Sequence, residues 1–217
     1  MQKIGFIFDL DGVIVDTAKY HYLAWKKLAN ELGFEFTKEQ NELFKGVSRK
    51  RCLEILLDIG KVKADQEQFD QWMVEKNLDY LAYIEKMDAS EILPDVPRVL
   101  DYLKARKIPI ALGSASKNAK PILEKVSLLP YFDSIVDGNS VTKAKPDPEV
   151  FLIAARNLGV DPKKCVVFED AVAGIQAANK AGMLSIGIGD ATILFEASHN
   201  FKDFTKIDDI FLESLLN

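Results

Sequence analysis

Two hydrophobic periods alternate along the chain and divide it. Residues 4–8 form a short apolar run, from Ile4 to Phe8, rich in side chains that favour extended backbone; this predicts a strand buried on both faces. From residue 17 to about 87 the spacing is helical instead. Tyr22, Trp25, Ala29 and Leu32 fall on one stripe of a helix over 17–32, which Gly33 stops. A shorter helical piece covers 38–44. A loop then leads into a helix over 49–59, with Ser48 placed as its N-cap and Gly60 at its end. Phe69, Trp72, Leu78, Leu81 and Ile84 mark a further helix over 66–85. No strand signal interrupts these segments, so a compact helical bundle is expected.

Beyond Leu93 short apolar runs alternate with helical segments. Strands are predicted over 108–112, 132–136, 165–168 and 185–188, and helices over 97–106, 117–126, 148–158, 171–181 and 208–215. Such alternation predicts a parallel sheet with helices on both faces. A single strand cannot stand alone, so residues 4–8 must join that sheet. The expected fold is therefore α/β. A Rossmann-like core comprises residues 1–16 and 88–217, and a helical-bundle cap, 17–87, is inserted after the first strand.

Composition narrows the class. Of 217 residues, 48% are hydrophobic and 28% charged, enough for one sizeable core, or a core with a small insert. A net charge of −5, with aromatics scattered rather than interleaved with Lys and Arg, argues against a nucleic-acid binder. Cys52 and Cys165 fit no zinc spacing, and Cys165 opens an apolar run as a buried thiol would; a reducing compartment is the simplest reading. There is no signal-peptide pattern and no apolar stretch of membrane-spanning length, so a soluble cytoplasmic protein is expected. The bundle shows no spare apolar face, which makes a monomer the default.

The chemistry gathers where strands end. Asp9 and Asp11 follow the first strand and, separated by Leu10, point the same way on an extended backbone. Gly12 permits the turn beyond them. Ligands of open parallel sheets bind at the carboxyl ends of strands, and a carboxylate pair there calls for a cation. An EF-hand is excluded: the third Asp or Asn and the upstream helix are missing. The strand at 108–112 delivers Ser114, the loop before residue 148 delivers Lys145, and the strand at 165–168 delivers Glu169 and Asp170. Each alone has a plain structural reading: Ser114 or the Glu169–Asp170 pair could cap a helix, and Lys145 could be a solvated loop residue. Together at successive strand ends they fit a magnesium–phosphate site, with Lys145 and the Ser114 hydroxyl spreading phosphoryl charge.

A strand running into Asp9-Leu10-Asp11-Gly12-Val13, followed by Ser114, Lys145 and Glu169-Asp170 in this order, resembles the haloacid dehalogenase superfamily over essentially the whole chain. The resemblance implies that Asp9 is a nucleophile giving an aspartyl-phosphate and that Asp11 is general acid and base. It implies that Mg2+ is held by Asp9, the backbone carbonyl of Asp11, Glu169 and Asp170. Thr17 and His21 join the catalytic group by the same resemblance, His21 through a link to Asp11 or its loop.

Within the superfamily, His21, Trp25, Lys45-Gly46-Val47-Ser48-Arg49 and Ser114-Ala115-Ser116-Lys117-Asn118 resemble the β-phosphoglucomutase family. That implies a 45–49 loop closing over the sugar, with Arg49, Ser116, Lys117 and Asn118 holding the phosphate that is not reacting. Trp25 either touches substrate or packs the bundle. The implied reaction interconverts β-D-glucose 1-phosphate and glucose 6-phosphate, with β-glucose 1,6-bisphosphate as intermediate and primer. A sugar-phosphate phosphatase is the alternative, and a non-catalytic sugar-phosphate sensor a third reading. Ala171 and Cys52 depart from the pattern, standing where relatives often carry a hydroxyl.

Overall fold

The computed structural model describes residues 4–216. Six parallel strands, β1 (Gly5–Phe8), β2 (Ile110–Gly113), β3 (Ser134–Val136), β4 (Cys165–Glu169), β5 (Leu184–Ile188) and β6 (His199–Phe201), stand in the order β3-β2-β1-β4-β5-β6. Register aligns Phe8 with Leu112 on one side and with Phe168 on the other. The residues that follow each strand thus emerge side by side, with β1 in the middle. The chain turns from one half of the sheet to the other beside β1, where open α/β sheets build their ligand clefts.

Side chains alternate across the sheet, so each face has its own core. Phe6, Phe8, Ile110, Leu112 and Phe168 face one apolar cluster, together with α5 (Val96–Ala105), α6 (Ala119–Lys125) and α9 (Asp209–Ser214). Ile7, Ala111 and Val167 face the other, with α7 (Glu149–Leu158) and α8 (Val172–Lys180). Phe8 and Phe168 stack with ring centroids 4.8 Å apart.

Between β1 and α5 lie α1 (Ala18–Glu31), α2 (Lys38–Asn41), α3 (Arg49–Gly60) and α4 (Gln66–Ile84). Trp25, Leu28, Phe36, Phe44, Leu53 and Leu56 form a third cluster among these helices, separate from both sheet cores. Capping fixes their starts: Ser48 accepts from the Arg51 amide at 3.3 Å, and Thr37 and Asp65 each form a capping box with Gln40 and Gln68. The two segments joining these helices to the sheet are hydrogen-bonded to each other, Asp16 N–H to Glu91 O at 2.9 Å and Leu93 N–H to Ile14 O at 3.0 Å.

Two elements differ from the sequence expectation. β6 is a sixth strand where none is predicted; His199-Asn200-Phe201 is short, polar and at the sheet edge, so it carries no apolar run. α6 starts at Ala119 rather than 117, because Ser114 and Ser116 fold the preceding loop on their own hydroxyls. No helix among the described residues is long and apolar enough to cross a membrane.

Candidate active site

The carboxyl ends of β1, β2 and β4 and the inner faces of α1, α3 and α4 enclose a cavity of about 320 Å³. Asp9 and Asp11 both line it, while Leu10 between them turns into the core. Asp9 continues the ladder of β1 through its amide to Phe168 O at 3.0 Å. Gly12, at φ +83°, then turns the chain; a Cβ there would lie 2.3 Å from Asp170 Oδ2. Only glycine allows the loop and that carboxylate to meet.

Lys145 is the electrostatic pivot. Its buried ammonium lies 2.6 Å from Asp9 Oδ1 and 2.6 Å from Glu169 Oε1. Burial alone would lower its pKa; the charges of Asp9 and Glu169 and its hydrogen bonds to both outweigh that and raise it. Glu169 is fully buried, its other oxygen accepting the Ala171 amide at 2.8 Å. Burial pushes its carboxyl up, against the pull of Lys145. The approach of α8 to this carboxylate requires Gly174, where a Cβ would stand 1.8 Å from Glu169 Oε1.

Burial and then the charge of Asp9 push Asp11 up to about 6, opposed by a hydrogen bond from Thr17 and by Lys76 and Lys145. Thr17 sits at the N-cap position of α1 but makes no cap; its hydroxyl donates to Asp11 Oδ1. His21 Nε2 lies 3.7 Å from the same oxygen, and Nδ1 lies 2.8 Å from Lys76 Nζ. The lysine has hydrogens to donate in either protonation state, so Nδ1 accepts and the ring proton sits on Nε2, toward Asp11. Burial, then Lys76 and Arg49, hold His21 well below its ordinary pKa, so the imidazole is neutral. Lys76 itself is buried and driven down to about 7, with its Nζ 4.6 Å from the Trp25 ring centroid.

The same cavity is also lined by cations. Lys45, Gly46, Val47, Ser48 and Arg49 all line the cavity, as do Trp25, Ser114, Ala115, Ser116 and Lys117. Among the described residues neither Arg49 nor Lys117 has a carboxylate within ion-pair distance. Lys45 Nζ lies 3.0 Å from Glu42 and 3.8 Å from Asp170. Ser114 is fully buried; its hydroxyl accepts the Ser116 amide at 3.0 Å, within the loop rather than at the start of α6. Ser116 accepts from the Asn118 amide at 3.2 Å, so the amides of Ser116 and Asn118 are spent inside the loop.

The structure thus brings most of the sequence-predicted residues to one cavity. Thr17, Asn118 and Glu169 do not line it; they stand behind Asp11, Asn77 and Lys145 respectively. Trp25 lines the cavity and also packs edge-on against Phe44, with ring centroids 5.6 Å apart. Lys76, Asn77 and Tyr80 were not foreseen. Lys76 and Tyr80, four apart on α4, share a face, a spacing the sequence carried but a charged residue masked.

The residue set suits a cation. Asp9, Asp11, Glu169 and Asp170 crowd one buried region, with Lys145, Lys45 and Lys76 as nearby amino groups. Burial, then Glu169 and Asp9, hold Asp170 well above its ordinary pKa, a sign of excess negative charge. No three acidic, histidine or cysteine side chains among the described residues are already gathered around a common point at ligating distance. The oxygen donors and surplus charge fit Mg2+, with the Asp11 carbonyl able to complete a set that two carboxylates begin.

The chain is similar to known proteins over most of its length. The family model of haloacid dehalogenase-like hydrolases matches residues 5–182. A β-phosphoglucomutase of Bacillus subtilis (strain 168) is 44% identical over 185 residues, covering 84% of this chain and 82% of that protein. A fructose-1-phosphate phosphatase of Escherichia coli (strain K12) is 33% identical, covering 85% of this chain and 95% of its own. The crystal structure of a β-phosphoglucomutase from Clostridium difficile superposes with a TM-score of 0.93 at 38% identity, covering 99% of this chain and 97% of that one.

Proposed function

The chain belongs to the haloacid dehalogenase-like hydrolase family, and on that premise we propose that it is a β-phosphoglucomutase interconverting β-D-glucose 1-phosphate and glucose 6-phosphate. One observation carries the reading. One cavity holds the carboxylates of Asp9 and Asp11 together with Arg49 and Lys117, neither of which has a carboxylate partner among the described residues. A phosphatase needs one phosphate site; a mutase, whose bisphosphate intermediate must turn round, needs two. A planar guanidinium suits the second because it binds phosphate through two parallel hydrogen bonds.

In this mechanism Asp9 carries the phosphoryl group as an aspartyl-phosphate, first supplied by β-glucose 1,6-bisphosphate. The C6 hydroxyl of β-glucose 1-phosphate attacks that phosphorus, Asp11 takes the hydroxyl proton, and Asp9 leaves as a free carboxylate. The bisphosphate then turns. Asp9 attacks the C1 phosphoryl group, Asp11 returns its proton to the C1 oxygen, and glucose 6-phosphate departs. A carboxyl near 6 is matched to giving and taking a proton at neutral pH. Lys145 holds Asp9 in line, and Glu169 holds Lys145. Arg49, Ser116 and Lys117 grip the non-reacting phosphate; Asn118, expected to join them, stands behind the cavity wall with its side-chain amide on Asn77 and holds the loop instead. Asp9, the Asp11 carbonyl and Asp170 would hold Mg2+; Glu169, expected from the sequence to join them, has one oxygen on Lys145 and the other on the Ala171 amide and is left out of the set. Bound there, the ion supplies charge neutralisation that lets a phosphate approach Asp9.

Residues 17–87 act as a cap on a core of 1–16 and 88–217. The paired linkers, steadied by Tyr20 and Lys19 on Glu91 at 2.5 and 2.6 Å, form its hinge. Closure excludes water from the aspartyl-phosphate. Phosphorus NMR on β-glucose 1-phosphate with Mg2+ and a trace of the bisphosphate tests the reading. Glucose 6-phosphate without inorganic phosphate is expected. Inorganic phosphate as the main product would make the protein a phosphatase, like its Escherichia coli relative.

A further inference from the structure

Tyr80, on α4, is fully buried, yet its hydroxyl has no hydrogen-bond partner among the described residues. Buried tyrosine hydroxyls ordinarily find one, because leaving the oxygen unpaired costs free energy. Packing does not explain the phenol. Its ring stacks on His21 with centroids 4.0 Å apart and sits in the apolar cluster against the sheet, and phenylalanine would do both. The surroundings of the oxygen are polar. Burial, then the charge of Asp11, hold the phenol well above its ordinary pKa, and the hydroxyls of Thr17 and Ser116 act against that rise.

Hydroxyl bookkeeping gives these neighbours compatible roles. Thr17 spends its proton on Asp11, which leaves lone pairs on its oxygen able to accept. Ser116 accepts the Asn118 amide, which leaves its proton able to be donated. A group that donates and accepts at once fits between them. The two sides already touch through Asn118 Nδ2, which donates to Asn77 Oδ1 on α4 at 3.2 Å.

We propose that Tyr80 is a positioning residue that couples the distal phosphate loop to Asp11 through a relay of hydroxyls, Ser116 to Tyr80 to Thr17 to Asp11. Phosphate held by Arg49 and Lys117 draws the loop and α4 together and completes the relay. Thr17 then holds one oxygen of Asp11 firmly and leaves the other aimed at the acceptor hydroxyl. Water brings no phosphate and leaves the relay open. This inference rests on the mutase reading and deepens it, because it makes proton transfer conditional on the second phosphate.

The test uses the whole enzyme phosphorylated on Asp9 with acetyl phosphate, then mixed with glucose 6-phosphate, glucose or buffer, with loss of the phospho-enzyme followed by quenched flow. In Tyr80→Phe the saturated transfer rate to glucose 6-phosphate should fall roughly tenfold, the worth of one hydrogen bond. The half-saturating concentration, the rates to glucose and to water, and the thermal midpoint should hold. Thr17→Val added to Tyr80→Phe should cost less than it does in wild type, since both break one relay. An unchanged saturated rate in Tyr80→Phe, or an equal loss with all three acceptors, overturns the proposal. Wild-type enzyme that passes its phosphoryl group to water as readily as to glucose 6-phosphate overturns the mutase reading itself, before any variant is compared.

Discussion

Arg49→Ala separates the two ends of the cavity. The guanidinium is partly buried, and burial lowers its pKa with no carboxylate beside it to raise it again. Its charge is therefore unspent in the free protein. Two charge-assisted hydrogen bonds to a phosphate contribute ~1.5–3 kcal/mol each and overlap in part, so their joint loss is about 3–4 kcal/mol. That corresponds to a fall of roughly 10²–10³ in kcat/KM for β-glucose 1-phosphate. Phosphorylation of Asp9 by acetyl phosphate, which brings no second phosphate, should be unaffected. Arg49→Lys should recover only part of the loss, because an ammonium is a point charge and not a fork. The thermal midpoint should not fall, since no ion pair is broken and a half-buried charge is removed. A coupled assay for glucose 6-phosphate and intact mass of the phospho-enzyme read both arms. Near-normal kcat/KM would refute the two-phosphate argument; a parallel loss of phosphorylation by acetyl phosphate would move Arg49 to the Asp9 end.

Lys145→Ala should destabilise the fold by ~3–5 kcal/mol at pH 8, because Asp9 and Glu169 lose the buried cation 2.6 Å from each. Glu169, pushed up to about 7 even with Lys145 present, binds a proton in the folded state that the unfolded chain gives up near 4.5, so the variant's stability is lost as pH rises through this window. Urea unfolding at pH 5 and pH 8 checks it, and an equal deficit at both would be wrong for this argument. Lys76→Met keeps the packing under Trp25 and Tyr80 and removes a group whose folded pKa is about 7 against 10.5 ordinarily. Between those values the unfolded wild-type chain holds a proton that the folded one does not, so wild-type stability gains on the variant as pH rises from about 7 to 10. Thermal midpoints at pH 6.5 and 9.5 decide it; a pH-independent difference would show that Lys76 is not desolvated.

The sequence made the sheet centre and its chemistry readable for one physical reason. An apolar run, a carboxylate pair at spacing two and a glycine turn are local patterns, and Asp9, Asp11 and Gly12 sit where those patterns put them. What escaped was set by tertiary context. The apolar spacing of α4 gives no sign of Lys76, which is buried because that turn is pressed against α1 and the cavity. Ser114 could equally have capped α6, and only the loop conformation decided between them. His199-Asn200-Phe201 could not be read as a strand, since an edge position asks little apolar surface of it.

The charges also divide between the two parts of the chain. Every acidic side chain lining the cavity, Asp9, Asp11 and Asp170, comes from the sheet edge. Residues 17–87 contribute Lys45, Arg49, Lys50 and Lys76, and no acid. Lys45 finds Asp170 and Glu42, but Arg49 and Lys76 raise each other's cost: each is desolvated, and the charge of Arg49 pushes the Lys76 pKa further down. Such a wall is stabilised by an anion placed against it, and water cannot serve. A phosphorylated sugar therefore brings the counterion that makes closing the cavity favourable, whereas an approaching water leaves the cations unneutralised and the closed arrangement costly. In the proposed mechanism the same distribution thereby discriminates the sugar hydroxyl from solvent as acceptor for the phosphoryl group on Asp9.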